Sequence, residues 1–246
     1  MTEVALITGA KRVGQAVARK LAGYGVNIGV TYNTSPKEAE ELVAEVRQLG
    51  VRAEAVQVDI SDPDRVGGAV KFIEDSLGPI GYFIHMASLF EDGSSQTTTK
   101  EQLDRSLGVH LYGALWLKQA LAPLWQERGQ KGKIVVITDR IVVPDGHPYL
   151  GKYPYYVGKA ALQASIKYWA KEHLRDGVTV NAVALGATKR PPEVSEEEWQ
   201  ALRANILPDI TDEGMMEQAA DTVRFFLNAD FITGQTIVLD GGQNLL

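Results

Sequence analysis

Tyr155 and Lys159 stand four residues apart at the start of a helix-like segment, so both side chains leave the same helix face. A phenol has an ordinary pKa of about 10, too high for efficient proton transfer at neutral pH. An ammonium beside it stabilises the phenolate and lowers that value, so the pair reads as a proton donor with its own tuning charge. The lysine can also hold sugar hydroxyls. Of the nine tyrosines, only Tyr155 has a lysine four positions later. Asp139 closes an apolar run sixteen residues upstream. A carboxylate there either accepts hydrogen bonds from a substrate or orients Tyr155; the structural alternative is a turn or helix cap.

A second cluster reads as a phosphate turn. The first apolar run ends in Thr8-Gly9-Ala10-Lys11-Arg12-Val13-Gly14 and opens a helical pattern. Glycines permit a tight turn and close backbone approach to a pyrophosphate, and a helix N-terminus offers N–H groups and a positive dipole end. Arg12 stands where a glycine is expected, and an ordinary strand–helix loop is the alternative. Lys11 and Arg12 put two cations beside the site. The second strand ends in Asn33, Thr34 and Ser35 with no carboxylate for ribose hydroxyls, which favours a 2′-phosphate and hence NADPH. Solvated surface charge is the competing reading of Lys11 and Arg12. Asp59, followed by Ile60 at the end of the third strand, accepts from an adenine amino group or caps the next turn.

The elements that must position these groups alternate. Strand-like runs fall at Val4–Thr8, Val26–Thr31, Val51–Val58, Ile80–Ile84, Lys133–Thr138, Val178–Val183 and Thr236–Leu239. Helical patterns lie between them, among them Pro36–Leu49 stopped by Gly50, Lys100–Glu127 with a kink or end at Pro123, Tyr155–Leu174 and Glu217–Asn228. The strands are apolar on both faces, the mark of a parallel sheet covered on both sides. The expected fold is α/β, a single doubly wound Rossmann-type domain over 1–246 with a seven-stranded, mainly parallel sheet. Its ligand crevice lies at the carboxyl ends of the strands. Two long connections follow strands on that side, 139–152 and 186–214, and the second is the expected substrate loop.

Composition excludes several classes. With no cysteine there is no disulfide, thiolate metal site or cysteine nucleophile. Four unpaired histidines make a catalytic zinc improbable, so no metal is expected. A net charge of −6 argues against nucleic acid as partner. No apolar run reaches membrane-spanning length and the N-terminus does not read as a signal peptide, which makes a cytoplasmic protein the expectation.

Taken together, the Thr8–Gly14 turn, Asp59, Ala87-Ser88, Tyr155 with Lys159, Asn181-Ala182-Val183 and Thr233-Gly234-Gln235…Leu239-Asp240-Gly241-Gly242 resemble the short-chain dehydrogenase/reductase family over almost the whole chain. Aspartate at 139 in Ile137-Thr138-Asp139, the Lys11-Arg12 turn and Ala87-Ser88-Leu89-Phe90 are similar to its pteridine reductase and dihydromonapterin reductase branch. That resemblance implies catalysis by Asp139, Tyr155 and Lys159. It implies cofactor contacts from Gly9, Lys11, Arg12, Val13, Gly14, Asn33, Thr34, Ser35, Asp59, Ile60, Ala87, Ser88, Thr138, Gly186 and Thr188. It places Arg12, Ser88, Phe90, Asp139, Tyr155 and Arg190 at the substrate, with Phe90 as a stacking wall. The implied activity is NADPH-dependent hydride transfer to a pterin-type C=N or a carbonyl group, in a homotetramer. The sequence departs from the pattern at His85-Met86, at His110 in place of a helix asparagine, at Leu185-Gly186 and at Arg190. Two alternatives follow: a 3-oxoacyl or carbonyl reductase, and an NADP(H)-binding protein with little or no catalysis.

Overall fold

A computed structural model describes residues 3–187, 190, 194–203 and 211–245. Seven strands form one sheet: β1 (Val4–Thr8), β2 (Asn27–Tyr32), β3 (Ala53–Gln57), β4 (Ile80–His85), β5 (Lys133–Asp139), β6 (Thr179–Leu185) and β7 (Thr236–Leu239). Their order is β3-β2-β1-β4-β5-β6-β7, and all six pairings are parallel. The chain order reverses between β1 and β4, which makes their carboxyl ends the topological switch point and sets the ligand crevice there.

Among the described residues the helices are α1 (Val13–Gly23), α2 (Pro36–Gln48), α3 (Pro63–Leu77), α4 (Lys100–Leu107), α5 (Gly113–Arg128), α6 (Tyr153–Glu172), α7 (Glu196–Arg203) and α8 (Asp212–Asn228). Local chemistry sets their starts. Asp62 accepts from the Asp64 amide and Pro63 occupies the first turn of α3; Thr99 and Gln102 form a reciprocal capping box on α4. Of the kink or end expected at Pro123, the end is not found: α5 runs on to Arg128, and Gly129 at φ 60° closes it. The break lies earlier. A π turn, Gly108–Tyr112, joins α4 to α5 and carries His110 into the interior.

Each sheet face carries its own apolar cluster. Leu21, Leu42, Val46, Val223 and Phe226 cover one face, and Ile73, Leu117, Leu121, Trp125, Leu162 and Ile166 the other. Leu117, Leu162, Ile166 and Trp169, apolar residues of α5 and α6, are buried in the chain's own core, while Leu111 and Leu115 only pack at its margin. β5 and β6 are buried along their full length, so Asp139 ends a strand with no exposed face. No described helix is long and apolar enough to cross a membrane.

Candidate active site

The turn after β1 is built around backbone proximity. Gly9 takes φ +90°, and a Cβ on Gly14 would lie 2.5 Å from the Gly9 carbonyl oxygen. Arg12 caps α1 at φ 54°, ψ −116°, a conformation suited to glycine. No side chain caps α1 and no acidic residue stands in its first turn, so the donor set fits an anionic pyrophosphate. Lys11 pairs with Glu38 at 2.7 Å, in the first turn of α2. Ser35, the residue before α2, makes no side-chain cap bond, and Asn33 and Thr34 are exposed beside it. Asp59 caps its own turn, accepting from the Ser61 amide at 3.0 Å and hydroxyl at 2.7 Å. Ile60 is buried under α5 beside Gly113.

The switch point is closed by Thr8. Its hydroxyl oxygen accepts from the Met86 and Ala87 amides at 2.9 and 3.0 Å. Its proton is therefore left for His85 Nδ1 at 3.1 Å, which makes His85 the Nε2–H tautomer. That Nε2 is buried without a hydrogen-bond partner among the described residues. Burial first, and the Lys159 charge second, push the His85 pKa down to about 3, so it stays neutral.

His110 ties three elements together. Its Nε2 accepts from the Leu89 amide at 3.2 Å and faces the Ser88 hydroxyl at 3.1 Å, which leaves Nδ1–H to donate to the Ser106 carbonyl at 2.9 Å. The Ser106 hydroxyl donates to the Pro154 carbonyl at 2.6 Å, next to Tyr155. The loop after β4, the π turn and the start of α6 are thus joined through one neutral imidazole, whose pKa burial holds well below the ordinary value. α6 approaches closely here: a Cβ on Gly158 would sit 2.5 Å from His110 Nδ1. The ring also meets Tyr155 edge-on at 5.6 Å.

Asp139, Tyr155 and Lys159 meet as the sequence implied, though with different tuning. The Tyr155 hydroxyl donates to Asp139 Oδ2 at 2.5 Å, and Asp139 Oδ1 accepts from the Ile141 amide at 3.1 Å. Lys159 Nζ donates to the Ile137 carbonyl at 2.8 Å. All three are buried, at 8%, 6% and 2% exposure. The expected lowering of the phenol pKa is not found. Burial first, then the Asp139 charge and its hydrogen bond, push Tyr155 well above the ordinary value, while Arg12 pulls it down. Burial outweighs the Arg12 charge because removing a phenolate from water costs more than that charge returns. Asp139 is likewise raised by burial, and Lys159 is lowered by burial to about 8, with the Asp139 charge opposing.

Other expected residues divide. Phe90 packs edge-on against Tyr155 at 4.8 Å, with Lys152 Nζ 4.0 Å over its ring. Ala87 lies against Gly9, and the Gly186 amide donates to the Leu239 carbonyl at 2.9 Å. The Thr138 hydroxyl donates to Gln163, which in turn donates to Thr236, so it braces β5 against β7. Arg190 binds the Val194 carbonyl at 2.7 Å and Glu196 at 3.2 Å, within its own segment. Thr188 lies outside the described residues, as does part of the expected substrate loop. No described cluster has the makings of a metal site. Sequence reasoning missed Arg140 and Tyr149, whose positions in an irregular loop carry no periodic signal; Arg140 stacks on Tyr149 at 5.2 Å from the ring centre.

Known proteins resemble this chain over nearly its whole length. A family model described as enoyl-(acyl carrier protein) reductase matches residues 9–244. The chain is 30% identical to the 3-oxoacyl-[acyl-carrier-protein] reductase FabG of Staphylococcus aureus over 99% of this chain and 98% of that one. Among solved structures, FolM alternative dihydrofolate reductase 1 from Brucella canis, complexed with NADP, superposes with a TM-score of 0.88 at 30% identity, covering 99% and 94% of the two chains. Acetoin dehydrogenase from Enterobacter cloacae gives 0.87 at 27% identity, covering 100% and 96%. The chain belongs to the short-chain dehydrogenase/reductase family, as an NAD(P)-dependent oxidoreductase whose structural neighbours include the pteridine reductase-like branch.

Proposed function

We propose that this chain is an NADPH-dependent reductase acting on a pterin-type C=N, with Tyr155 as proton donor. The observation that carries the reading is the 2.5 Å bond from Tyr155 to a buried carboxylate. Asp139 accepts hydrogen bonds and offers none while ionised, so it suits a substrate rich in N–H groups better than a simple ketone. Phe90, held edge-on to Tyr155, supplies an aromatic wall for a flat ring.

The residues around the Thr8–Gly14 turn would hold the pyrophosphate, and Lys11 with the Asn33–Ser35 segment the 2′-phosphate. When bound, the reduced nicotinamide supplies the hydride. Tyr155 gives its hydroxyl proton to the substrate nitrogen. Lys159 and Arg12 stabilise the phenolate left behind. Asp139 holds the Tyr155 oxygen in place through the existing contact while a proton from solvent water restores the phenol. Lys159 also holds the ribose. By likeness to its family the assembly is a homotetramer.

The full-length similarity to a 3-oxoacyl-[acyl-carrier-protein] reductase supports a second reading, reduction of a carbonyl substrate. Cofactor oxidation with dihydrobiopterin, dihydrofolate and a keto ester, run beside Tyr155→Phe, separates the two. Pterin turnover that drops roughly a hundred- to ten-thousand-fold in the variant supports the proposal. Turnover of the keto ester alone moves the chain to the carbonyl reading. Cofactor binding with no turnover of any of them favours a binding protein.

A further inference from the structure

The loop between β5 and α6 brings a second phenol to the site. Tyr149 meets Phe90 edge-on at 6.3 Å, on the cluster that also holds Tyr155. Its ring lies under the Arg140 guanidinium, which also donates to the phenol oxygen and leaves the O–H proton to give elsewhere. Arg140 is itself buried and fixed: Nη1 donates to Asn244 Oδ1 at 2.9 Å, and Asn244 Nδ2 returns a bond to the Arg140 carbonyl at 3.1 Å. The Asn244 amide donates to Asp240 at 2.9 Å, so the C-terminal turn anchors the arrangement. Arg140 Nε is buried with no partner among the described residues. Burial, then the Asp139 charge, push the Tyr149 phenol up to about 12, with Arg140 opposing, so it is a hydrogen-bond donor at neutral pH.

We infer that Tyr149 is a substrate-selecting residue: its hydroxyl donates to an acceptor on the edge of a flat heteroaromatic ring whose neighbouring N–H groups are taken by Asp139. The inference rests on the pterin reading above and names a determinant within it. An amino–amide edge presents acceptor and donors side by side, and the Tyr149–Asp139 pair presents the complement. A keto ester has the acceptor and lacks the donors. The Arg140–Asn244 clamp keeps the phenol in place, which reduces the ordering needed on binding.

Tyr149→Phe retains the ring against Phe90 and under Arg140 and removes the hydroxyl together with its hydrogen bond from Arg140. The Kd of a fully oxidised pterin is measured by fluorescence quenching on NADP⁺-loaded protein, together with kcat/KM for a dihydropterin and a keto ester. A five- to tenfold rise in pterin Kd, and an equal fall in the pterin to keto ester ratio of kcat/KM, is expected on the order of one lost hydrogen bond. Asn244→Ala, which loosens Arg140 and leaves the hydroxyl, is expected to raise the Kd by a smaller factor. An unchanged pterin Kd in Tyr149→Phe overturns the inference, as does equal loss on both substrates, which would make the hydroxyl a brace for Arg140 and not a selector. If the wild-type chain binds pterin and does not reduce it, the reductase reading fails while the Kd comparison still decides Tyr149. If it binds no pterin, both fall.

Discussion

Replacing Arg12 by glycine should stabilise the chain and weaken its cofactor binding. Arg12 holds φ 54°, ψ −116°. A non-glycine residue in such a region costs about 1–3 kcal/mol. Glycine removes that strain and adds back about 0.5–1 kcal/mol of unfolded-state entropy. From the backbone alone the net gain is about 0–2.5 kcal/mol, and for a chain of 246 residues each ~1 kcal/mol moves Tm by about 2–4 °C. The same change removes a guanidinium whose charge reaches Tyr155 and which stands at the pyrophosphate turn. One charged hydrogen bond is worth about 1.5–3 kcal/mol, which weakens NADPH roughly ten- to a hundredfold. Thermal unfolding of the ligand-free protein gives the first quantity and a fluorescence titration with NADPH the second. Arg12→Ala is the control: it keeps the strained conformation and loses the side chain, so its Tm should not rise. A lower Tm for Arg12→Gly with unchanged NADPH affinity would refute the reasoning, because Arg12 would then be building the fold and not the site.

Two further outcomes follow from the charges. Lys159 sits at about 8 in the ligand-free chain, so kcat/KM should fall above about pH 8 as its ammonium is lost. The Asp139 charge raises that value, so Asp139→Asn should move the falling limb to lower pH; an unmoved limb would show that the two groups are uncoupled. The linkage of Lys159 to stability runs the other way: its folded pKa lies below the unfolded one, the unfolded chain binds more protons between the two, and stability from this residue rises with pH across that window. Glu38→Gln should release Lys11 from its 2.7 Å pair and tighten NADPH by up to about fivefold, the scale of a surface pair, with NADH unaffected. Equal tightening of both cofactors in the titration would place Lys11 at the pyrophosphate and away from the 2′-phosphate.

Much of this arrangement was legible in the sequence because it is written in periodicity. The alternation of runs gave the strand order its raw material, and the four-residue spacing of Tyr155 and Lys159 survives as a shared helix face. Gly9 and Gly14 were legible as a turn because only glycine tolerates a +90° φ and a carbonyl at 2.5 Å. The π turn was not, since a single inserted residue leaves the helical pattern on either side intact. Nor were the roles of His85 and His110. The partners at Thr8 and Leu89 lie 77 and 21 positions distant, and no local pattern records such pairings. Arg140 and Tyr149 escaped for the same reason.

The tuning of Tyr155 was misjudged from sequence because spacing reports which groups are neighbours and not how dry the space between them is. The phenol donates to Asp139 and is raised by burial, a poor acid at neutral pH. A substrate that donates N–H bonds to Asp139 competes for that carboxylate. It draws off the hydrogen bond and part of the charge that raise Tyr155, and leaves Arg12 to lower it against burial. A substrate without donors leaves that bond in place. On this argument the proposed substrate class and the state of the acid are one problem: the same N–H groups that select for Asp139 free the proton that the reaction consumes.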